Sequence, residues 1–440
     1  MIKHKNQLTL QILAFASQLF PAIVGVLSFM LLVRVTKPVV LGQYIIYLAA
    51  VVLFEMIKSG GLQSALVMRV SNSDIALQKR IRGSAYWLGG IVSLSLSIVL
   101  IILYFSGIFV KQPGIQVFCG WYACLGLITL PLHIAEASAV ARQDLKFLLY
   151  LRLAQSANAL ITAAYAWLYS GSLEGFATVH LLFTTILMTI VLIAGKTKPS
   201  EVIFKTKEEI KTLIHLIKYT MATLATTNLL KSADTFLIGS LMGPESVARY
   251  AIPLKLTELF EIPIRSLSTT AFPQLAEKHN NNDYVGFKKG LIQYLSWSYL
   301  LYIPALLIAF IFAPYIVLVF GGDQYADTTS IFRILIFFGL FLPANRMTGI
   351  GLDALQKPAK NFKKVLIMAI INIVGDLVAI RFSNDLNMVA FVSVLNAGCG
   401  AMLGWWMLEK TGILSKGNVF TDIFNYSNYF IRKSLYRLKE

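Results

Sequence analysis

The sequence predicts an all-α membrane protein of about twelve transmembrane helices, arranged as two pseudo-symmetric six-helix lobes around a central cavity. Three observations predict it. Of 440 residues, 57% are hydrophobic and only 14% charged, with a mean hydropathy of +0.68, which leaves too little polar surface for a soluble chain. Helix-sized apolar runs separated by short polar links recur from end to end, and a half-chain repeat is visible.

The N-terminal lobe, residues 1–195, carries apolar runs at about 8–34, 38–58, 82–106, 114–140, 147–169 and 173–195. The first follows a basic stretch, Met1 to Gln7, is too long for a cleaved signal, and reads as a retained helix in which Pro21 and Gly25 permit a kink or a close helix contact. Residues 196–211, KTKPSEVIFKTKEEIK, interrupt the pattern with a proline and a cluster of charge. They read as a cytoplasmic inter-lobe linker, a loop leading into a short interfacial helix. The C-terminal lobe, residues 212–409, carries runs at about 212–241, 245–271, 288–312, 328–353, 361–381 and 387–408. The tail, 410–440, mixes Phe, Tyr and Ile with Arg432, Lys433, Arg437 and Lys439, and reads as a basic amphipathic helix on the cytoplasmic leaflet or a mobile basic tail.

Lysine and arginine concentrate in alternate loops, from Lys3 and Lys5 through Arg69, Lys79, Arg80, Arg82, Arg142, Lys146, the linker lysines, Lys278, Lys288 and Lys289 to Lys357, Lys360, Lys363 and Lys364. The opposite loops offer Arg34, Lys37, Lys111 and Arg381. By the positive-inside rule both termini are cytoplasmic, as an even number of spans requires. The net charge of +17 lies mostly in these loops, which argues for topology signals and anionic lipid contacts and against nucleic acid. Cys119, Cys124 and Cys399 fall in spans without metal-ligand spacing and read as packing residues.

Sliding the chain by 206 residues superposes KPVVLGQYIIYLAAVVLFE (37–55) on GPESVARYAIPLKLTELFE (243–261). Pro38 meets Pro244, Tyr44 meets Tyr250, and Leu53-Phe54-Glu55 meets Leu259-Phe260-Glu261. An even number of crossings separates the copies, so the repeat is parallel, as in transporters built from two equivalent lobes. Glu261 has a counterpart in Glu55, whereas Lys255 and Arg265 stand opposite Ala49 and Ser59. The acid is shared, and the bases are special to the second lobe.

No GxSxG, Walker A or HExxH motif occurs, so nothing reads as an enzyme site or a cofactor site. Without a nucleotide site, any pumping must draw on an ion gradient, the membrane potential or the substrate's own gradient. His133 and Glu136 have one-turn spacing and read as a buried hydrogen-bonded pair rather than metal ligands.

What remains is a set of ionisable residues inside spans. Each costs about 2.5–3.5 kcal/mol at a helix centre, so it belongs in the bundle interior or a watery cavity. The densest stretch is 231–265, with Lys231, Asp234, Lys255, Glu258, Glu261 and Arg265. At about 100° per residue, Glu258, Glu261 and Arg265 fall about 60°, 120° and 80° round from Lys255, all in one direction, which makes one charged face. Glu55 with Lys58, Arg346 and Asp376 complete the set. Local neutralisation explains Glu55 with Lys58, Lys231 with Asp234 and Glu261 with Arg265 as structural pairs. Lys231, Lys255, Arg265 and Arg346 converging on a cavity would suit an anionic substrate such as a pyrophosphate headgroup. Glu55, Asp234, Glu258, Glu261 and Asp376 are candidates for ion coupling or gating, neutralising that field when empty or binding the proton or Na⁺ that resets a carrier.

The stretch SADTFLIGSLMGPESVARYAIPLKLTELFEIPIRSLSTTAFPQLAE resembles the seventh and eighth helices of polysaccharide biosynthesis transporters. These are the O-antigen and capsule repeat-unit flippases of the multidrug/oligosaccharidyl-lipid/polysaccharide exporter superfamily. The resemblance rests on Asp234, Gly243, Tyr250, Lys255, Leu256 and the FPxLA run Phe272 to Ala276, with LGQY at Leu41 to Tyr44 and the pair Gly60 and Gly61 as a second match. It implies a flippase that carries an undecaprenyl-pyrophosphate-linked oligosaccharide to the outer leaflet of a bacterial inner membrane by rocking two lobes, with membrane lipids holding the lipid tail. The alternative on the same fold is a multidrug or small-metabolite antiporter, and a third reading is a membrane scaffold with purely structural charges. Cationic-drug exporters favour an acidic cavity, and the bases here point to the lipid-linked glycan. Lipid II flippases typically carry two more helices, for which no room is expected after span twelve. Whether the chain works alone or beside a polysaccharide polymerase and other assembly proteins stays open.

Overall fold

The structure, a computed structural model, describes residues 2–70, 73–169 and 171–412; the basic tail expected beyond these lies outside the described residues. The described residues form helices joined by short connections, without a strand. The long elements are α1 (Ile2–Val35), α2 (Pro38–Glu55), α3 (Gly61–Val70), α4 (Ile75–Ser106), α5 (Pro113–Ala141), α6 (Leu145–Tyr169), α7 (Leu173–Ile193), α8 (Lys207–Leu241) and α9 (Pro244–Asn280). They continue with α10 (Tyr284–Ile311), α11 (Ala313–Gly321), α12 (Thr329–Ile336), α13 (Phe338–Ala354), α14 (Pro358–Ser383) and α15 (Leu386–Glu409).

Among the described residues eight helices are long and apolar enough to cross a membrane. The helices α1, α6, α8 and α9, of 34, 25, 35 and 37 residues, are also long enough but are not among the eight. In α9 the reason is visible: the charges of Lys255, Glu258, Glu261 and Arg265 interrupt its apolar run.

The sequence accounts for where the helices begin. Proline, which lacks the N–H that the first turn leaves unpaired, opens α2, α5 and α14 at Pro38, Pro113 and Pro358. Asp74, Ser172 and Asp283 cap α4, α7 and α10 by accepting from the backbone amides of Leu77 (2.7 Å), Gly175 (3.1 Å) and Gly286 (2.8 Å). Pro38 and Pro244, the matched prolines of the repeat, each open a helix, and the matched Tyr44 and Tyr250 are both buried.

The chain divides into two compact units, Met1–Ala248 and Arg249–Glu440. In the first, one core gathers Leu62, Leu66, Ile81, Tyr86, Ile134 and Leu213 from α3, α4, α5 and α8. In the second, a larger core gathers Leu256, Phe287, Leu295, Phe332, Met347 and Leu408. Large apolar side chains such as Phe105, Ile193, Tyr315 and Phe382 point outward, as they do on helices solvated by lipid. Cys119 packs inside as expected, whereas Cys124 is exposed.

Three features differ from the sequence reading. The span expected to end at residue 58 continues through a π-helical turn, Met56–Gly60, into α3. The linker, which holds a short 3₁₀ helix (Pro199–Phe204) fixed to the first unit, gives way to α8 already at Lys207, ahead of the expected start at 212. Lys364, counted among the loop lysines, is buried two turns inside α14.

Candidate functional site

In the first unit a polar cluster forms where α2 changes into the π turn. A π turn widens the helix by one residue and is a recurrent mark of functional sites. Here it buries the Lys58 side chain completely. The ammonium donates to Glu55 Oε1 (2.9 Å), the Gly126 carbonyl (2.7 Å) and Thr129 Oγ1 (2.6 Å), filling its three donor sites. It also stands 5.6 Å from the centroid of the Tyr122 ring. Glu55 Oε1 accepts from Thr129 as well (2.6 Å), and Oε2 pairs with His133 Nε2 (2.7 Å). Gln63 Nε2 donates to His133 Nδ1 (2.8 Å), which leaves the ring hydrogen on Nε2, aimed at Glu55.

His133 and Glu136 therefore do not form the expected pair. Although one turn apart, they find partners on different helices: His133 turns to Glu55 and Gln63, and Glu136 pairs with Arg152 of α6 at 3.0 Å. Beside the cluster lies a cavity of about 140 Å³ lined by Glu55, Thr129, His133, Asn158, His180 and Thr184. It has room for several water molecules. His180 Nδ1 meets the Tyr47 hydroxyl at 3.1 Å. On α8, in the same unit, Lys231 is exposed and Asp234 buried one turn away.

In the second unit the charged face of α9 is resolved into pairs. Lys255 Nζ meets Glu258 Oε2 at 2.7 Å, and Arg265 pairs with Glu261, each within one turn of helix. Glu258 and Arg265 are exposed. One turn beyond Arg265, Ser268 Oγ lies 3.4 Å from Arg346 Nε of α13, and Arg346 is exposed too. The structure thus brings Arg346 to the helix face that carries Arg265. Lys364 supports it from behind: its buried ammonium donates to both the carbonyl (2.9 Å) and the side-chain oxygen (3.0 Å) of Asn345, the residue next to Arg346.

Asp376 sits elsewhere in that unit, fully buried, accepting from Asn372 Nδ2 at 2.9 Å, while Asn372 Oδ1 accepts from Asn396 of α15 at 2.9 Å. Sequence reasoning missed Asn372, Asn396, His133 as the partner of Glu55, and Lys364. The signal for the asparagines was present as polar residues inside apolar runs, but their pairing is between α14 and α15 and has no local spacing.

A family model described as "Polysaccharide biosynthesis protein" matches residues 31–330. A Shigella flexneri protein described as "Putative O-antigen transporter" is 24% identical over 129 residues, 29% of this chain and 29% of that protein; the chain thus aligns with less than a third of the length of that curated relative. Among solved structures, an inward-facing multidrug resistance MATE family transporter of the MOP superfamily superposes with a TM-score of 0.74 at 13% identity, covering 89% of this chain and 95% of that one. The lipid II flippase MurJ, in an inward closed conformation, superposes with a TM-score of 0.70 at 15% identity, covering 98% and 93%. A MOP superfamily transporter from Pyrococcus furiosus follows at 0.63 and 12% identity, covering 91% and 95%. At these identities the likeness is one of fold, and the fold is that of the MOP superfamily transporters.

Proposed function

This chain belongs to the polysaccharide biosynthesis protein family, and on that premise we propose that it is a flippase moving an undecaprenyl-pyrophosphate-linked oligosaccharide repeat unit across the bacterial inner membrane by alternating access. In this reading α1, α6, α8 and α9 join the eight apolar spans to make twelve. The lobes are 1–195 and 212–409, joined by the cytoplasmic linker 196–211, with both termini cytoplasmic.

The observation that carries the reading is that the exposed Arg346 of α13 reaches Ser268 of α9, one turn beyond the exposed Arg265. Guanidinium groups match phosphate oxygens in geometry and charge, and two of them suit a pyrophosphate. Lys231 and Lys255 complete the proposed substrate set. The acids give the empty carrier a resting state, because Glu258 and Glu261 each hold a base that the headgroup would claim. Exposed pairs of this kind hold by about 0–1 kcal/mol, so a doubly charged phosphate ligand readily displaces the acid. Glu55, hydrogen-bonded to His133 beside the cavity, and the buried Asp234 and Asp376 are the further candidates for ion coupling by a proton or Na⁺.

Single Ala substitutions test this in cells that depend on the chain for surface glycan. Arg265→Ala and Arg346→Ala are each expected to lower glycan export at least tenfold at unchanged protein level, with smaller losses for Lys231→Ala and Lys255→Ala. Full export in all four variants would remove the anion-binding assignment. Intact surface glycan with raised sensitivity to a cationic drug on deletion would instead favour the antiporter.

A further inference from the structure

We propose that the linker 196–207 forms a built docking surface for acidic phospholipid headgroups, pinned to the first unit so that two apolar side chains enter the bilayer beside a cluster of lysines. The proposal is independent of the transported substrate and needs only that α4 crosses a membrane.

The linker is held in place at successive points along α4. Arg82 grips Glu201 with two bonds, Nε to Oε2 at 2.7 Å and a terminal nitrogen to Oε1 at 2.8 Å, and Glu201 is buried. Tyr86 and Thr197 share a hydrogen bond, and the Thr206 amide donates to Ser84 Oγ at 3.2 Å. At Gly83 the helix approaches so closely that a Cβ would overlap the Glu201 carbonyl. Val202 packs into the core of the unit. Where the linker continues into α8, Arg69 grips Glu209 with bonds of 2.7 and 2.9 Å. With its backbone and Val202 committed inward, the linker turns Ile203 (79% exposed) and Phe204 (51%) outward. A free loop would fold such side chains away from water, whereas this one presents them.

The depth of this surface follows from α4. Its 32 residues exceed the roughly 20 that span a hydrocarbon core of about 30 Å. Counted back from Ser106, those residues end near Trp87, and no charged residue occurs from Leu88 to Ser106. The linker touches α4 at residues 82–87, so Ile203 and Phe204 lie at the membrane boundary, where tryptophan also concentrates.

Charge selects the headgroup. Glu201 and Glu209 are neutralised by their arginines, and Lys196 is tied to Asp144 at 3.0 Å, which holds that carboxyl below the ordinary carboxylate range. Lys198, Lys205 and Lys207 remain exposed, against Glu208 as the exposed acid. Lys205 Nζ sits 4.9 Å from the centroid of the Trp87 ring, at the boundary itself. Lys79 and Arg80, also exposed, stand one turn before Gly83 and Ser84. Basic side chains flanking inserted apolar groups are the arrangement that binds acidic lipid.

The test uses the purified full chain offered equal amounts of phosphatidylglycerol and phosphatidylcholine, with bound lipid counted by native mass spectrometry. Lys198→Gln/Lys205→Gln/Lys207→Gln is expected to lower retained phosphatidylglycerol at least threefold and leave phosphatidylcholine unchanged. Retention equal to wild type overturns the proposal. Independently, a nitroxide on Ile203→Cys, in a chain whose Cys119, Cys124 and Cys399 are alanine, is read in phosphatidylcholine/phosphatidylglycerol nanodiscs. Greater access to oxygen than to a water-soluble nickel chelate is expected, and the reverse order overturns the insertion.

Discussion

Lys58→Ala is expected to destabilise the purified protein by about 3–5 kcal/mol, the cost of removing one partner from a buried ion pair. The Lys58 side chain is fully buried and satisfies Glu55, the Gly126 carbonyl and Thr129 at once. Alanine leaves those acceptors without their cation and opens a void where the π turn now closes on α5. Thermal unfolding in detergent reads the effect. The double variant Glu55→Gln/Lys58→Met sharpens it, because it removes both charges and keeps side-chain volume. It is expected to recover more than half of the loss, since the uncompensated carboxylate is what costs most and the pair itself contributes little net energy. A Lys58→Ala protein as stable as wild type would mean that the cluster does not form.

Gly42→Ala is expected to be comparably damaging for a steric reason. Gly42 of α2 lies against the start of α9 within the first unit, and a Cβ there would overlap the backbone carbonyl of Pro244. Backbone cannot rotate aside as a side chain can, so α2 must move. Overpacking of well-packed sites typically costs about 1–3 kcal/mol, and a contact with backbone lies at or above the upper end of that range. Gly90→Ala is the matched control: nothing lies within 4 Å of its Cβ, and alanine favours the helix by up to about 1 kcal/mol. Folded yield after size-exclusion chromatography is expected to fall for Gly42→Ala and to hold for Gly90→Ala. Equal yields would contradict the tight approach.

These sites also show what a sequence can disclose. Oppositely charged pairs one turn apart were legible, whereas the spacing of His133 and Glu136 misled and that of Asn372 and Asp376 was passed over. Glu55 with Lys58 and Glu261 with Arg265 follow from helical spacing, and both pairs form. The prolines that open α2 and α9 marked helix starts because proline fits the first turn. Interactions between distant segments were not legible. Glu55 meets His133 across 78 residues and Arg82 meets Glu201 across 119, and no periodicity encodes either contact. Lys364 was misplaced because positive charge near an apolar run reads equally as a loop end or as a buried donor. The facing Asn345, whose two oxygens both accept from the Lys364 ammonium, decides between them. The π turn was hidden for a different reason: it adds one residue within a continuous apolar helix and leaves composition unchanged.

The most direct test of the account is transport by the purified full chain in liposomes. Undecaprenyl-pyrophosphate-linked oligosaccharide is placed in the inner leaflet, and its appearance outside is read by a membrane-impermeant glycosidase under imposed proton and Na⁺ gradients. The account predicts gradient-dependent exposure of the glycan that falls at least tenfold in Arg265→Ala/Arg346→Ala. Exposure no faster than in protein-free liposomes under every gradient would contradict it.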